Sequence, residues 1–111
     1  MDKELIELRR ELKIKLRENL STYFEQLGRF KKPLFNIQNH PKLKRKEKIK
    51  YTGLYNELLK CINNINVLNE ELAIEDLTIA EEDLIFQEAT ANIYFASEYL
   101  KTLPSKLSDD N

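Results

Sequence analysis

The sequence predicts an all-α protein: an elongated antiparallel three-helix bundle with a long basic connector between helices 1 and 2. The 111 residues include only two Gly and three Pro, whereas a sheet protein needs many turn residues. Apolar residues recur at spacings of three and four over long stretches, as on one face of a helix. A chain of this length buries roughly 65% of its unfolded surface, so its core needs no metal or disulfide. We therefore expect a single bundle domain over residues 1–103 and a flexible C-terminal tail over residues 104–111.

Helix 1 is predicted over about residues 3–27. Its apolar residues follow one stripe for about seven turns. They are Leu5, Leu8, Leu12, Leu16, Leu20, Tyr23 and Leu27. Gly28 can adopt the left-handed conformation that ends many helices, and Pro33 follows it, so the helix is expected to stop there.

The connector is predicted from Arg29 to about Pro41. It contains two prolines, the only histidine and four bulky apolar residues, Phe30, Leu34, Phe35 and Ile37. Because a structureless segment of this length is uncommon in a compact domain, it should either pack over the end of the bundle or form a binding surface. Packing is favoured, since bulky apolar side chains in a loop usually cover their own core.

Helix 2 is predicted to begin within residues 42–50 and to end near Ala73. Its seam has strict heptad spacing, which is typical of a coiled coil or bundle. The seam residues are Tyr51, Leu54, Leu58, Cys61, Ile65, Leu68 and Leu72. As the only cysteine, Cys61 cannot form an internal disulfide, and its place on the seam predicts a buried thiol in a reducing, cytoplasmic setting. Asn63 or Asn66 is expected to face water.

Helix 3 is announced by Thr78 and Glu81, which have the spacing of a capping box. The link before it, about residues 74–77, is short and predicts antiparallel neighbours. From Leu84 to Leu100, 11 of 17 residues are Leu, Ile, Phe, Ala or Tyr. This apolar surface is too wide for one neighbouring helix, so helix 3 should contact both other helices or a partner.

The wide apolar face of helix 3 and the connector predict a non-enzymatic protein–protein interaction module that self-associates. It would act as an adaptor, chaperone or inhibitor, and its partner would be a second copy or another helical protein. The predicted partner-binding residues are Phe30, Leu34, Phe35, Phe86, Ile93, Tyr94, Phe95 and Tyr99.

Charge is strongly segregated along the chain. Residues 29–50 contain nine Lys or Arg and one Glu (net +8), residues 51–111 contain three Lys and twelve Asp or Glu (net −9), and residues 1–28 are neutral. The basic segment either complements the acidic half, within the fold or a homodimer, or faces an external anion.

The alternative function is that of a nucleic-acid-binding accessory protein that uses the basic segment 29–50. The candidate contacts are Lys42, Lys44, Arg45, Lys46, Lys48 and Lys50. These residues do not line a single helical face, and no aromatic residue lies among them before Tyr51, so the pattern is not specific.

The residues offer little for catalysis or cofactor binding. With His40 as the only histidine, paired histidine or Glu-x-x-His metal ligands cannot occur. Cys61 is predicted far from His40, and two glycines cannot build a phosphate-binding loop. We therefore expect no enzyme, no metal or other cofactor and no small-molecule substrate. We also expect no cleaved leader and no membrane span, because no apolar run approaches about 20 residues.

Overall fold

Four α-helices form the protein in a computed structural model that describes residues 2–103, and this part of the chain has no strand. The helices are α1 (Lys3–Gly28), α2 (Lys31–Gln38), α3 (Arg45–Leu72) and α4 (Ile79–Thr102). The predicted all-α class is therefore confirmed. The predicted flexible tail, residues 104–111, lies outside the described residues.

The three long helices α1, α3 and α4 each contact the other two, and the short helix α2 packs against α3. The molecule measures 62 × 26 × 19 Å, so it is an elongated rod. Arg9 near the start of α1 contacts Glu82 near the start of α4. At the opposite end of α4, the Tyr99 hydroxyl donates a hydrogen bond to the Leu54 carbonyl in the first half of α3.

The core runs along the rod between the long helices. The heptad seam of α3 supplies much of it, as predicted: five seam residues are buried, and Tyr51 and Leu54 pack against them while half-buried. The buried apolar residues are Leu16, Leu20, Leu27, Phe30, Leu34, Leu58, Cys61, Ile65, Leu68, Leu72, Ile85, Phe86, Ala89, Ala96, Tyr99 and Leu103. Asn63 and Asn66 are both exposed, which confirms the prediction for them.

The predicted long connector is wrong. Most of its residues form the helix α2, which is joined to α1 through only Arg29 and Phe30, and the predicted helices 2 and 3 correspond to α3 and α4. Pro33 does not prevent the helix, since it lies in the first turn of α2, where a backbone N–H has no helical partner to lose. Gly28 does not turn left-handed either: it is the last residue of α1, and no described glycine has a positive φ.

The apolar stripe of α1 is buried only in the second half of the helix. Leu16, Leu20 and Leu27 are buried as predicted, but Leu5 and Leu8 are exposed. The reason is the length of the neighbouring helix: α4 begins at Ile79, whose carbonyl lies beside Arg9, so the first turns of α1 extend past the start of α4. Leu12 is also exposed, so the expectation of a continuous buried stripe is corrected for three leucines.

The predicted capping box at the start of α4 is confirmed. The Glu81 backbone N–H donates to the Thr78 hydroxyl at 3.1 Å, and the Thr78 backbone N–H donates to the Glu81 carboxylate at 3.0 Å. Hydrogen bonding of the Glu81 carboxylate to the Thr78 backbone N–H, and secondly to the Thr78 side chain, lowers the pKa of Glu81. The box satisfies N–H groups that the first helical turn leaves free, and thereby defines where α4 begins.

Candidate functional site

The structure divides the eight predicted partner-binding residues into three groups: buried, half-buried and exposed. Four of them belong to the core and are not presented on the surface: Phe30, Leu34, Phe86 and Tyr99. Ile93 is half-buried and packs against the core. The remaining three are exposed: Phe35 by 49%, Tyr94 by 68% and Phe95 by 43%. A contact surface can therefore use only these three directly.

Tyr99 illustrates why the buried group is structural. Its ring is buried, and its hydroxyl donates to the Leu54 carbonyl, which ties α4 to α3. Burial raises the pKa of the Tyr99 hydroxyl far above its ordinary value, and the charges of Cys61 and Glu57 add to this effect. The side chain is thus a neutral hydrogen-bond donor inside the fold at physiological pH.

Phe35 and Tyr94, two of the exposed aromatic residues, lie on different helices. Phe35 is on α2, where its ring lies 5.7 Å from the ring of Tyr55 on α3. Tyr94 lies on α4, immediately before Phe95 in sequence and about 100° away from it around the helix axis. Among the described residues, neither Phe35 nor Tyr94 makes a ring contact with Phe95.

Phe95 lines a groove between α3 and α4. This part of the groove has a volume of about 340 Å³ and is lined by Glu57, Lys60, Cys61, Asn64, Ala91, Asn92 and Phe95. A second depression of about 290 Å³ adjoins it and is lined by Asn64, Val67, Leu68, Glu71, Glu88 and Asn92. Because both share Asn64 and Asn92, they form one continuous surface, which we name the α3–α4 groove.

The α3–α4 groove combines apolar and charged groups without a reactive centre. Val67 and Phe95 are its large exposed apolar side chains. Cys61 is buried beneath it, and burial together with the charge of Glu57 raises the pKa of its thiol, which disfavours the nucleophilic thiolate. His40 lies outside it, in the turn before α3, where its Nδ1 accepts the backbone N–H of Lys42 at 3.2 Å. The groove is therefore suited to contact.

The basic residues at positions 42–50 lack ion-pair partners within the described part of the chain, residues 2–103. They are the six predicted anion contacts, and all of them are exposed. Lys50 instead places its ammonium group 5.6 Å from the Tyr51 ring, a cation–π contact. For these six residues, ion pairing with the acidic half of the same copy is therefore not observed. A second copy or an external anion is the partner that the charge pattern still allows.

The acidic start of α4 is compensated by α1. The Arg9 guanidinium lies 2.9 Å from the Glu82 carboxylate and 2.8 Å from that of Asp83, and Lys13 lies 3.0 Å from Glu82. Burial acts to raise the pKa of Glu82, but the hydrogen bonds from Lys13 and Arg9 outweigh it and lower the pKa. The positive charges that pair with the acidic start of α4 thus come from α1, which lies in the segment of residues 1–28 whose net charge is zero.

Several exposed apolar residues were not predicted as surface residues. Periodicity predicts that Leu5, Leu8 and Leu12 are buried, and it gives no prediction of exposure for Val67 and Leu84, but all five side chains are exposed. Periodicity identifies the apolar face of a helix but carries no information on how far the neighbouring helix extends. For Val67 a signal existed, since it lies off the heptad seam between Ile65 and Leu68.

Residues 2–103 contain no group of three or more His, Cys, Asp or Glu side chains placed to hold a metal ion. No helix in this range combines the length and the apolar character needed to cross a membrane. The chain matches no family model, no curated protein and no solved structure.

Proposed function

We propose that this chain is a non-enzymatic protein–protein interaction module that associates with a second copy of itself through the α3–α4 groove. An adaptor, chaperone or inhibitor would be built on such a module. The observation that carries the proposal is Phe95, an aromatic residue that lies 43% exposed at a groove with Cys61 and Ala91 in its lining. Aromatic side chains in such places are the usual anchors of interfaces.

The groove extends along the rod, as a side-by-side interface requires. On α4 the exposed apolar residues Leu84, Ala91 and Phe95 follow one side of the helix at spacings of seven and four. Val67 of α3 lies in the same groove. A second copy that covers this side would remove several half-exposed apolar side chains from water, each contributing in proportion to the area buried.

The charge pattern favours a second copy in the antiparallel orientation. Lys50, Glu57, Asn64 and Glu71 are spaced by seven residues, so they lie on one side of α3, the side that borders the groove. Lys50 and Glu71 lie at similar distances on either side of Cys61. If a twofold axis passes near Cys61 and Phe95 in an antiparallel dimer, Lys50 of each copy faces Glu71 of the other. In a parallel dimer this pairing would be absent.

The proposal takes as its scaffold the elongated antiparallel three-helix bundle that the sequence predicts. The contacts that support this arrangement are those between the start of α1 and the start of α4, and between Tyr99 near the end of α4 and Leu54 of α3. Asn69 near the end of α3 supports it further, because its side chain bonds both Arg17 and Ser21 of α1.

Light scattering over a concentration series tests the proposal. The wild-type protein should be a dimer at micromolar concentration. Phe95→Ser should shift the molecule to the monomer, whereas Tyr94→Ser should not, because Tyr94 is rotated by about 100° from Phe95 on the same helix. Both variants should retain the helical circular dichroism of the wild type, since both side chains are partly exposed.

Two results would contradict the proposal. A wild-type protein that stays monomeric at high micromolar concentration excludes self-association. A dimer that Tyr94→Ser disrupts and Phe95→Ser leaves intact excludes the α3–α4 groove as its interface. A charge exchange tests the pairing of Lys50 with Glu71 across the dimer. Glu71→Lys should weaken the dimer, and Lys50→Glu combined with Glu71→Lys should restore it.

A further inference from the structure

We propose that the start of α3 binds the phosphate backbone of double-stranded nucleic acid. The segment concerned, residues 42–50, is named the basic arm. Its residues 44–50 are all exposed, although six of them lie in the helix and therefore point in every direction around its axis. No side chain of residues 44–50 is buried, so the basic arm presents its charges to solvent around the helix axis.

The positive charges of the basic arm are available to a ligand. Elsewhere in the described chain, Arg9, Lys13 and Lys101 each form an ion pair with a carboxylate of α4. By contrast, within residues 2–103 no ion pair involves any Lys or Arg of the basic arm, and the one acidic residue of the arm is Glu47. Unpaired cations release the counterions of phosphate groups without first losing an internal partner.

The acidic cluster around the turn between α3 and α4, residues 70–83, does not prevent such binding, because it is too distant. From the start of α3 at Arg45 to its end at Leu72 there are 28 residues, which at about 1.5 Å per residue span roughly 42 Å. The Debye length at physiological ionic strength is about 8 Å, so the repulsion between a polyanion at the basic arm and the carboxylates of that turn is screened. The two ends therefore act as separate electrostatic surfaces.

The composition of the arm favours a duplex over a single strand or a membrane. Single-strand binding depends on aromatic side chains that stack on bases, and residues 42–50 contain none. Membrane insertion needs a broad apolar face, and Ile49 is the only apolar residue of the arm in the exposed class. A helix about 10–12 Å wide fits the major groove of about 12 Å, where charges on opposite sides reach the phosphates of both strands.

Fluorescence anisotropy with a labelled 20-base-pair DNA duplex tests the inference. If about six phosphates are contacted, affinity should fall roughly 10³-fold between 50 and 200 mM salt. Lys44→Gln, Arg45→Gln and Lys48→Gln together should weaken binding at 50 mM salt and reduce the slope of log affinity against log salt by about 2.7. These three side chains lie on the side of α3 opposite Lys50, so the proposed dimer interface is spared.

The matched control removes the same charge from the other end of the molecule. Lys3, Arg10 and Lys15 are exposed on α1 and form no ion pair among the described residues. Their combined replacement by Gln should leave the affinity and the salt slope unchanged. The monomeric Phe95→Ser variant should still bind DNA with the same salt slope, which separates this inference from the proposed self-association.

The inference is overturned by any of four outcomes. The first is no binding to the duplex at 50 mM salt. The second is an equal loss of affinity in the basic-arm variant and in the α1 control. The third is a clear preference for a 20-nucleotide single strand, and the fourth is binding to phosphatidylserine vesicles without binding to DNA. Binding that is steeply salt-dependent and lost only in the basic-arm variant supports it.

Discussion

Replacement of Arg9 by Ala should weaken the contact between the starts of α1 and α4. The guanidinium donates through Nε to Glu82 at 2.9 Å and through Nη2 to Asp83 at 2.8 Å, and it lies 5.3 Å from the centre of the Phe86 ring. The hydrogen bond to Asp83 is the largest cause of the raised pKa of Arg9. One side chain thus holds two carboxylates and one aromatic ring of α4.

The magnitude follows from how exposed the partners are. Hydrogen bonds to charged groups contribute about 1.5–3 kcal/mol, but exposed ion pairs contribute only about 0–1 kcal/mol. The side chains of Arg9 and Glu82 are 19% and 16% exposed, whereas that of Asp83 is half exposed, so Glu82 provides most of the effect. Since Glu82 also keeps Lys13 as a partner, we expect a loss of about 2 kcal/mol, or roughly 8–16 °C in Tm.

Urea unfolding followed by circular dichroism at pH 7 measures this loss. Arg10→Ala is the matched control, because Arg10 is exposed and forms no ion pair in residues 2–103. Its free energy of unfolding should stay within about 0.5 kcal/mol of the wild type. If the Arg9 and Arg10 variants are equally stable, the argument that this ion-pair cluster stabilises the fold is refuted.

Acid pH gives an independent check of the same contact. The pKa of Glu82 is lowered in the folded protein, so its ionised form stabilises the fold above the unfolded-state pKa, and this contribution is lost as the pH falls through the lowered value. The difference in stability between the wild type and Arg9→Ala should therefore narrow below about pH 4. A difference that stays constant would mean that Arg9 acts only by packing on Phe86.

Two further predictions concern the core. Leu20→Ala should lower the free energy of unfolding by about 2–5 kcal/mol, because Leu20 is fully buried. The control Leu8→Ala, at an exposed position, should change it by less than about 0.5 kcal/mol. Equal losses of the two variants in urea unfolding would mean that Leu8 and Leu20 are buried to the same extent. Tyr99→Phe should lower the free energy of unfolding by about 1 kcal/mol at pH 7, because the hydrogen bond to the Leu54 carbonyl is lost. If Tyr99→Phe is as stable as the control Tyr94→Phe, that hydrogen bond does not stabilise the fold.

The features predicted correctly depend on local patterns. The seam of α3 was predictable because heptad spacing encodes the buried face over four turns and more, and tertiary contacts only had to agree with it. The start of α4 was predictable because Thr78 and Glu81 satisfy each other's backbone within a single turn. In both cases the sequence contains all the interacting groups within a few residues.

The features missed depend on neighbours or on ambiguous residues. In the sequence Pro33 predicts the end of a helix, but proline is also favoured in a first helical turn, and the burial of Leu34 favours this second role in α2. The exposure of Leu8 depends on where α4 begins. Among the candidate site residues, periodicity placed Phe95 and Phe86 together in one wide apolar band, whereas the structure leaves the first half-exposed and buries the second.

The separation of charge described above also affects how the protein behaves in dilute buffers. A net charge of −1 gives little mutual repulsion between molecules, while each rod carries opposite charges at its two ends and so has a large electric dipole along its axis. Such dipoles attract one another end to end when few ions are present to screen them. The protein should therefore be least soluble in deionised water and dissolve more readily as sodium chloride is added.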